Sequence, residues 1–329
     1  METSGLELGL LLHTAHEVRD DAVPSSLRRV LDSAVQAEAL EFAHVWLGDS
    51  SRMERGWPRA DCLTLLSAIA MRTEQIKLGV IPLSAPLRNP VLLAHELATI
   101  DVLSGGRLLV SPSIGKGGPE GQREFANCNV PYNERGARLT EMLQIMKRLW
   151  TEPSVTFQGR FYQLDDATIY PKPISRPIPQ YVATGRAEAA LRRAGRFGDG
   201  WFTTVCDPEE FREDRQRVVA TARTAGRDLR ELACSGLYAT FHLDRDGEKA
   251  RLEAPERMRA YFGSHRNSTS DFFGSPREIA ERLQPFVDEG LTRLVIRFVE
   301  QDLSKQTELM RDAVSLLRPA VAATHIGER

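Results

Sequence analysis

Short apolar segments alternate with helix-patterned segments along most of the chain. Eight segments have the length and composition of buried strands: residues 6–13, 43–49, 75–83, 107–115, 179–184, 199–205, 234–243 and 292–298. Repeated strand–helix units predict a parallel sheet with right-handed crossovers. Eight units in 329 residues favour an α/β fold of the (β/α)8 TIM barrel type. An open doubly wound sheet is the alternative, but it usually has a glycine-rich loop after its first strand, and residues 13–26 contain no glycine.

Three of the intervening segments have clear helical patterns. Residues 25–42 carry an apolar stripe after two possible capping serines, Ser25 and Ser26. In residues 89–104, Asn89 is a candidate cap, and the following proline suits the first helical turn. Residues 186–197 carry a further buried stripe. These segments predict helices on the outside of the barrel.

Two stretches interrupt the strand–helix repeat. Residues 151–178 alternate apolar and polar side chains and then become proline-rich, which predicts a hairpin-like insertion after the fourth strand. Residues 244–273 are charged and then serine-rich, which predicts a mobile insertion after the seventh strand. We expect both near the mouth of the barrel, the end where the strands' carboxyl ends lie, within one domain over residues 1–329.

The composition of the chain bears on which partners it binds and in which cellular compartment it works. The net charge is −2 and no basic block occurs, so nucleic-acid and membrane-surface partners are not predicted. No apolar run approaches the length of a membrane span, and the first residues lack the basic region and apolar stretch that predict a leader. The four cysteines lie far apart without a CxxC pair, which predicts free thiols in a reducing cytoplasm.

Two local motifs raise alternatives that the surrounding residues do not favour. "SPSIG" differs from a GxSxG nucleophile elbow at one position, but the following "KGGPEG" is poor helix material, so a hydrolase with Ser113 as nucleophile is disfavoured. His13 and His16 follow the first strand and would suit a metal, although such pairs are more often solvated loop residues. No metal site is predicted.

Three places near strand ends favour ligand chemistry. Asp49 follows the second strand, where barrel enzymes place catalytic groups, and a cap on the next segment is its alternative role. Residues 79–90 form a long apolar loop that would make a wall for a flat ligand. Thr184, Gly185 and Arg186 join the fifth strand to a helix, where N–H groups and a cation suit an anion.

Longer blocks of the chain resemble the bacterial luciferase-like flavin oxidoreductases. The central block is "IKLGVIPLSAPLRNPVLLAHELATIDVLSGGRLLVSPSIG", residues 76–115. Further blocks are residues 133–150, 155–185, 197–202 and 272–298. Together these blocks cover most of residues 6–318. The resemblance implies a (β/α)8 barrel that binds FMN or the 8-hydroxy-5-deazaflavin coenzyme (F420) at its mouth.

The resemblance also assigns roles to individual residues. It implies that Thr184, Gly185 and Arg186 hold the cofactor's phosphate. The other cofactor contacts it implies are Val80, Ile81, Ser113 and Gly115. Asp49, His13 and Lys116 are then the candidates for proton transfer, substrate orientation or stabilisation of negative charge.

Departures from the family pattern bear on the chemistry. Asp49-Ser50 stand where the luciferases carry a histidine pair, Lys116 stands where the deazaflavin-dependent sugar dehydrogenases carry glutamate, and "VSPSIG" replaces a glycine-rich run. The phosphate-binding lysines of those dehydrogenases find no match near Asp207 or Ser268, which favours FMN over the deazaflavin.

The sequence therefore predicts a monooxygenase that uses reduced FMN, supplied by a separate flavin reductase, on a small organic substrate. A deazaflavin-dependent hydride-transfer enzyme is the first alternative, and a non-catalytic flavin-binding homologue is the second. Because members of the family often pair their barrels, a homodimer is expected.

Overall fold

The computed structural model describes residues 2–3, 5–12, 23–49, 60–204, 206–262, 271–300 and 302–319. The strands are β1 Glu2–Thr3, β2 Leu6–Leu11, β3 His44–Leu47, β4 Lys77–Ser84, β5 Leu108–Ser113, β6 Val155–Gln158, β7 Gln163–Ala167, β8 Tyr181–Ala183, β9 Gly200–Thr203, β10 Cys234–Leu243, β11 Asp271–Gly274 and β12 Arg293–Phe298. The helices are α1 Val23–Ala39, α2 Cys62–Ala70, α3 Pro90–Leu103, α4 Gly118–Asn127, α5 Arg135–Thr151, α6 Glu188–Phe197, α7 Pro208–Thr224, α8 Gly247–Phe262, α9 Pro276–Asp288 and α10 Leu303–Ser315.

Eight parallel strands form the barrel, in the order β5-β4-β3-β2-β12-β10-β9-β8. A parallel bridge between Val110 and Gln180 joins β5 to the segment that leads into β8. The Val110 N–H donates to the carbonyl of Pro179 at 3.1 Å, so the two ends of the strand order meet. All eight predicted strands are confirmed, and the architecture is the (β/α)8 barrel.

The barrel interior contains a layer of eight buried side chains, one from each of the eight barrel strands. These side chains are Leu11, Trp46, Ile81, Leu109, Tyr181, Phe202, Cys234 and Val295. Alternate residues of the same strands pack outward with the helices in a larger cluster, as the two-residue period of a strand requires. The interior is therefore a packed core, and a ligand has to bind at one of its ends.

Glycines on neighbouring strands make room for the largest interior rings. A Cβ on Gly79 would lie 2.2 Å from the ring of Trp46, and one on Gly236 would lie 2.2 Å from the ring of Phe202. Real side chains do not approach so closely. Each bulky ring thus lies next to a glycine on an adjacent strand, which keeps the core filled without voids.

The amino-terminal end of the interior is polar. Arg293 Nε donates to Glu7 Oε2 at 2.7 Å, and Lys77 Nζ donates to Glu7 Oε1 at 3.3 Å. His44 is fully buried there, and its Nδ1 accepts a hydrogen bond of 2.6 Å from Trp46 Nε1. This layer closes the end of the barrel opposite the mouth.

The helix predictions are mostly confirmed. Asn89 caps α3, since its side chain accepts from the N–H groups of Val91 and Leu92. Helix α1 begins at Val23, so the serines predicted as caps lie inside it. The expectation that "KGGPEG" disfavours a helix is wrong, because α4 begins at Gly118 with a proline in its first turn.

The first insertion lies away from the mouth, contrary to expectation. Strands β6 and β7 form an antiparallel hairpin whose turn is held by Glu141 of α5, which accepts from the N–H groups of Arg160, Phe161 and Tyr162. The chain then returns past the start of β5, where the Ser175 N–H donates to Asp101 and its hydroxyl donates to the Gly106 carbonyl. The insertion therefore follows α5 toward the amino-terminal end of the barrel.

The second insertion extends the wall of the mouth. In place of a purely mobile segment, residues 244–273 contain the 16-residue helix α8 and the start of β11. Strand β11 pairs in parallel with the last four residues of β10. Within the described part of the chain, no helix is long and apolar enough to cross a membrane, and the four cysteines are free thiols.

Candidate active site

Asp49 lies at the mouth, just beyond the end of β3, and its carboxylate is fully engaged. Its Oδ2 accepts hydrogen bonds from the Ser84 N–H at 3.0 Å and from Arg88 NH1 at 2.6 Å, and its Oδ1 accepts from Arg88 NH2 at 3.0 Å. The Asp49 side chain is 2% exposed. Because the guanidinium of Arg88 holds both oxygens, the geometry favours a structural ion pair over a general base for Asp49.

Arg88 supplies the positive charge in a cluster that has the composition of a metal site. The ligand atoms of Asp49, Asp61 and Cys62 lie within 4.8 Å of one another. Arg88 contacts both carboxylates, at 2.6 Å and 3.4 Å. Burial and the neighbouring Asp49 raise the pKa of the Cys62 thiol, so this sulfur is a poor source of thiolate. The guanidinium therefore offsets one of the two negative charges of this cluster.

Ser113 and Gly115 lie beside this ion pair. Ser113 is the register partner of Ser84 in the β4–β5 pairing, and its hydroxyl accepts from the Gly115 N–H at 3.1 Å. Gly115 has φ +81°, and a Cβ there would lie 2.9 Å from Phe125. The structure thus brings Asp49, Ser113 and Gly115 together around Ser84, and contact of Ser113 and Gly115 with a cofactor remains a prediction.

The two predicted contacts on β4 face opposite sides of the strand. Ile81 belongs to the interior layer, directly below the mouth. Val80 packs in the cluster between the strands and the helices, so its position argues against contact with a cofactor. The register between β4 and β5 shifts between Val80 and Leu83, and such a bulge re-aims the side chains at the end of the strand.

Lys116 follows the turn after β5 and forms an ion pair with Glu120 in the first turn of α4. Its side chain is 35% exposed. The ammonium is therefore at the rim of the barrel and partly neutralised. Its predicted role in stabilising negative charge requires the pair with Glu120 to open.

In the turn after β8, Thr184 is fixed by hydrogen bonds and Gly185 is exposed. The Thr184 N–H and hydroxyl both donate to the carbonyl of Phe202, at 2.8 Å and 3.2 Å, which fixes the end of β8 against β9. Gly185 is exposed, and a Cβ on it would meet no atom within 4 Å. The main chain of this turn is therefore open to a ligand.

The Arg186 side chain is directed to helix α7, which corrects the expectation that it points into the turn. Its guanidinium contacts three carboxylates, with ion pairs to Glu210, to Glu213 at 2.9 Å and to Asp214 at 3.6 Å. An arginine surrounded by three carboxylates adds little positive potential at the turn. Phosphate binding at this turn would thus rest on backbone N–H groups and the start of α6.

His13, the remaining predicted catalytic residue, lies outside the described residues. So do His16 and Ser50, which the sequence also singled out.

One group of residues at the mouth was missed by the sequence analysis. Arg297 of β12 lies over the ring of Tyr238, with 4.6 Å from its guanidinium carbon to the ring centroid, and lies 4.9 Å from the ring of Phe262. The signal was present in "RLVIRF", because Arg297 is two residues beyond the interior residue Val295 and therefore faces the same side of the strand.

Comparisons with known proteins identify the family. The sequence profile of the family described as luciferase-like monooxygenase matches residues 6–307. A protein of Kineococcus radiotolerans named F420-dependent glucose-6-phosphate dehydrogenase is 30% identical over 88% of this chain and 93% of its own length. A protein of the same name from Amycolatopsis mediterranei is 29% identical over 88% of this chain and 95% of its own length.

Solved structures agree with the fold. An F420-dependent secondary alcohol dehydrogenase, solved with an F420-acetone adduct, superposes with a TM-score of 0.76 at 18% identity, over 94% of this chain and 99% of its own. Monooxygenase RslO1 from Streptomyces bottropensis superposes with a TM-score of 0.78 at 23% identity, over 94% of this chain and 98% of its own. At these identities the likeness concerns the fold alone. Together with the profile match over residues 6–307, it means that this chain belongs to the luciferase-like monooxygenase family.

Proposed function

We propose that this chain is an F420-dependent oxidoreductase that transfers a hydride between its substrate and the deazaflavin. The oxidoreductase class follows from family membership. The cofactor is supported chiefly by the relative named F420-dependent glucose-6-phosphate dehydrogenase, which is 30% identical over 88% of this chain. The predicted dependence on reduced FMN, with oxygen incorporation and a partner reductase, finds no such support.

The turn after β8 fits the phosphate of such a cofactor. Helix α6 begins after Ala187, which makes no side-chain cap hydrogen bond, so its first N–H groups are available to an anion. Gly185 presents main chain with open space where a side chain would stand. Gly185 and the first residues of α6 would hold the phosphate.

These N–H groups offer an anionic tail a partner other than the lysine side chains whose absence favoured FMN. A helix amino terminus attracts a phosphate through backbone N–H groups and its dipole, and such a site leaves no basic residue in the sequence.

The end of β5 fits the body of the cofactor. Ser111 is fully buried, and its Oγ has no hydrogen-bond partner among the described residues. It lies two residues beyond Leu109 of the interior layer and so faces the same side. Strand β5 is next to β8 at the closure of the barrel. Ser111 and Ile81 would therefore lie beneath a flat ring whose phosphate is at the turn after β8.

F420, when bound, accepts or donates a hydride on its deazaflavin ring. The residues of this chain would then bind the cofactor, orient the substrate and transfer a proton. The ion pair of Asp49 with Arg88 fixes the loop after β4 by its bond to the Ser84 N–H. Because that pair engages both oxygens of Asp49, we assign proton transfer to His13 or Lys116 in preference to Asp49.

The substrate is proposed to differ from that in the relatives' names. Lys116 stands where the resemblance places a glutamate in the sugar dehydrogenases. Different charges at the mouth imply a different polar group on the substrate.

Turnover tests this proposal directly. The purified chain is incubated with oxidised F420 and a panel of alcohols, including glucose 6-phosphate, under nitrogen, and bleaching of the cofactor is followed by absorbance. The proposal expects bleaching with at least one alcohol other than glucose 6-phosphate, and loss of activity in His13→Ala or Lys116→Ala. In a parallel arm, reduced FMN and oxygen replace F420. Substrate oxygenation in that arm alone would contradict the proposal, and cofactor binding without turnover in either arm would favour the non-catalytic alternative.

A further inference from the structure

A cavity of about 250 Å³ lies between helix α7 and the first residues of β9 and β10. Its floor includes Trp201 and Ser235, which are register partners on the two strands. Trp201 packs outward, between the strands and the helices, and its register partner faces the same side. Each is the second residue of its strand, so the cavity is on the outside of the barrel, near the end opposite the mouth. We call it the α7 cavity.

The walls of the α7 cavity are mostly apolar. Val218 and Val219 of α7 form one side, and Leu229 and Leu232, on the connection between α7 and β10, form another. An enclosed space of about 150 Å³ is enough to hold benzene. The α7 cavity therefore has room for a ring or a short alkyl chain together with a small polar group.

Arg215 of α7 brings a positive charge to this cavity. Its guanidinium lies against the turn before β12, where a Cβ on Gly290 would lie 3.1 Å from the guanidinium carbon. Two residues further along, the Thr292 hydroxyl accepts from the Ser235 N–H at 3.0 Å, and the Thr292 N–H donates to the Ser235 carbonyl at 2.9 Å. The guanidinium is therefore on the side of the cavity where Ser235 lies.

The carboxylates that are near Arg215 in the chain are engaged with other cations. Asp214, the preceding residue, contacts Arg186 at 3.6 Å. Asp228 accepts from Nε of Arg230, the second arginine of the lining, at 2.8 Å. Among the residues that the structure describes, Arg215 itself makes no ion pair or hydrogen bond. Its charge is thus available to a ligand in the α7 cavity.

The chemistry of the cavity indicates a class of ligand. A guanidinium presents a planar fork of N–H groups that matches the two oxygens of a carboxylate, and such charge-assisted pairs are stronger than neutral hydrogen bonds. The hydroxyl of Ser235 is a further donor on the same side. Valine and leucine walls suit an apolar body. Because Arg230 is already paired with Asp228, the described lining favours one negative charge over the two of a phosphate monoester.

We propose that the α7 cavity is a second ligand site, away from the mouth, that binds a small monocarboxylate with an apolar body. Neither the cofactor site nor the catalytic residues proposed above contribute to its lining. The inference therefore goes beyond the proposed function, and its ligand is measured in the absence of F420.

The test is calorimetric titration of the purified full-length chain with 3-phenylpropanoate and with hexanoate. Each acid is compared with its amide, which has the same shape but no charge. At least one acid is expected to bind, with its amide binding about ten-fold more weakly, since a charge-assisted bond is lost. Arg215→Met should weaken the acid by about ten-fold and leave the amide unchanged, and the retained amide binding shows that the variant is folded.

Two further variants locate the ligand. Val219→Phe fills the cavity from its partly exposed wall and should abolish binding of acid and amide alike. Arg217→Met removes the same charge from α7 at a residue outside the lining, which pairs with Glu213, and should bind the acid like the wild type.

Four results would overturn the proposal. They are absence of binding by both acids, equal affinity for acid and amide, wild-type affinity in Arg215→Met or Val219→Phe, and a loss in Arg217→Met as large as that in Arg215→Met. The last result would show a general effect of net charge, with no contact in the cavity.

Discussion

The ion pair of Asp49 with Arg88 has the features of a structural bond. The two side chains are 2% and 13% exposed, and two hydrogen bonds join them. Replacing Asp49 by Asn leaves the guanidinium buried without its counter-charge, so we expect the free energy of unfolding to fall by about 3 kcal/mol. Urea denaturation measures this change.

Asp61→Asn is the matched control for Asp49. Asp61 caps α2 by accepting from the N–H groups of Leu63 and Thr64, and asparagine caps almost equally well, so stability should change by less than about 1 kcal/mol. If Asp49→Asn were instead as stable as the wild type and inactive, Asp49 would be a proton carrier and the structural role would be wrong.

Two substitutions in the turn after β8 distinguish phosphate binding by the main chain from phosphate binding by the Arg186 side chain. Gly185→Ala should fold normally, because its new Cβ meets open space, but it should lower F420 affinity by about ten-fold by blocking the main chain. Arg186→Ala should change that affinity less than about two-fold, because three carboxylates of α7 already hold the guanidinium. Fluorescence titration measures both. The reverse ranking would show that Arg186 turns inward to the phosphate.

At the scale of elements, the polar layer that closes the amino-terminal end of the barrel predicts a pH dependence. Burial, helped by the charge of Arg293, lowers the pKa of His44 from 6.5 to about 3. Below pH 6.5, His44 therefore binds a proton in the unfolded chain but not in the folded chain. Stability should be full above that pH and fall as the pH drops toward 3, with a loss of about 2 kcal/mol by about pH 5.

His44→Gln removes this titration and should flatten the dependence in the same window. Urea denaturation at a series of pH values measures both proteins. Parallel pH profiles for the wild type and the variant would assign the dependence to other groups. His242, whose pKa burial also lowers, would be the next candidate.

The strands were predictable because each is a short apolar run bounded by breakers, and a parallel barrel buries such runs on both faces. Helix α3 was predictable from its cap, Asn89. Helix α4 was not predictable, because its glycines and proline have poor intrinsic helix propensity. Packing overrides that propensity. A Cβ on Gly121 would lie 2.0 Å from the Lys116 carbonyl oxygen, so the close approach of these two segments requires glycine.

The site was less predictable than the fold, because its contacts join distant segments. The partners of Arg186 are 24 to 28 positions later in the chain, on another helix. Arg297 meets Tyr238 only through the register of β10 with β12, which no local pattern encodes. His13, by contrast, was named from its place after the first strand alone, and its role remains a prediction.

At the scale of the whole molecule, four exposed apolar side chains suggest how two copies would pair. Leu92, Val102 and Leu103 on the outer face of α3 are 62%, 38% and 45% exposed, and Met71 at the end of α2 is 68% exposed. Such side chains are typical of a protein interface, and we propose a homodimer through this face.

Light scattering after gel filtration tests the dimer. The wild type should have twice the 36.8 kDa mass of one chain, and Leu92→Glu with Leu103→Glu should give monomers, because charges at an apolar interface are costly. Leu252→Glu, at a residue 74% exposed on α8, is the control and should remain dimeric. A monomeric wild type would refute the pairing.

The choice of cofactor decides which reaction this chain carries out, and comparison of its affinities for the two candidates tests that choice most directly. The purified chain is titrated with oxidised F420 and, separately, with FMN, and fluorescence reports binding. We predict that F420 binds at least about ten-fold more tightly than FMN and that Gly185→Ala lowers the affinity for F420. FMN binding as tightly as F420, or more tightly, would contradict it.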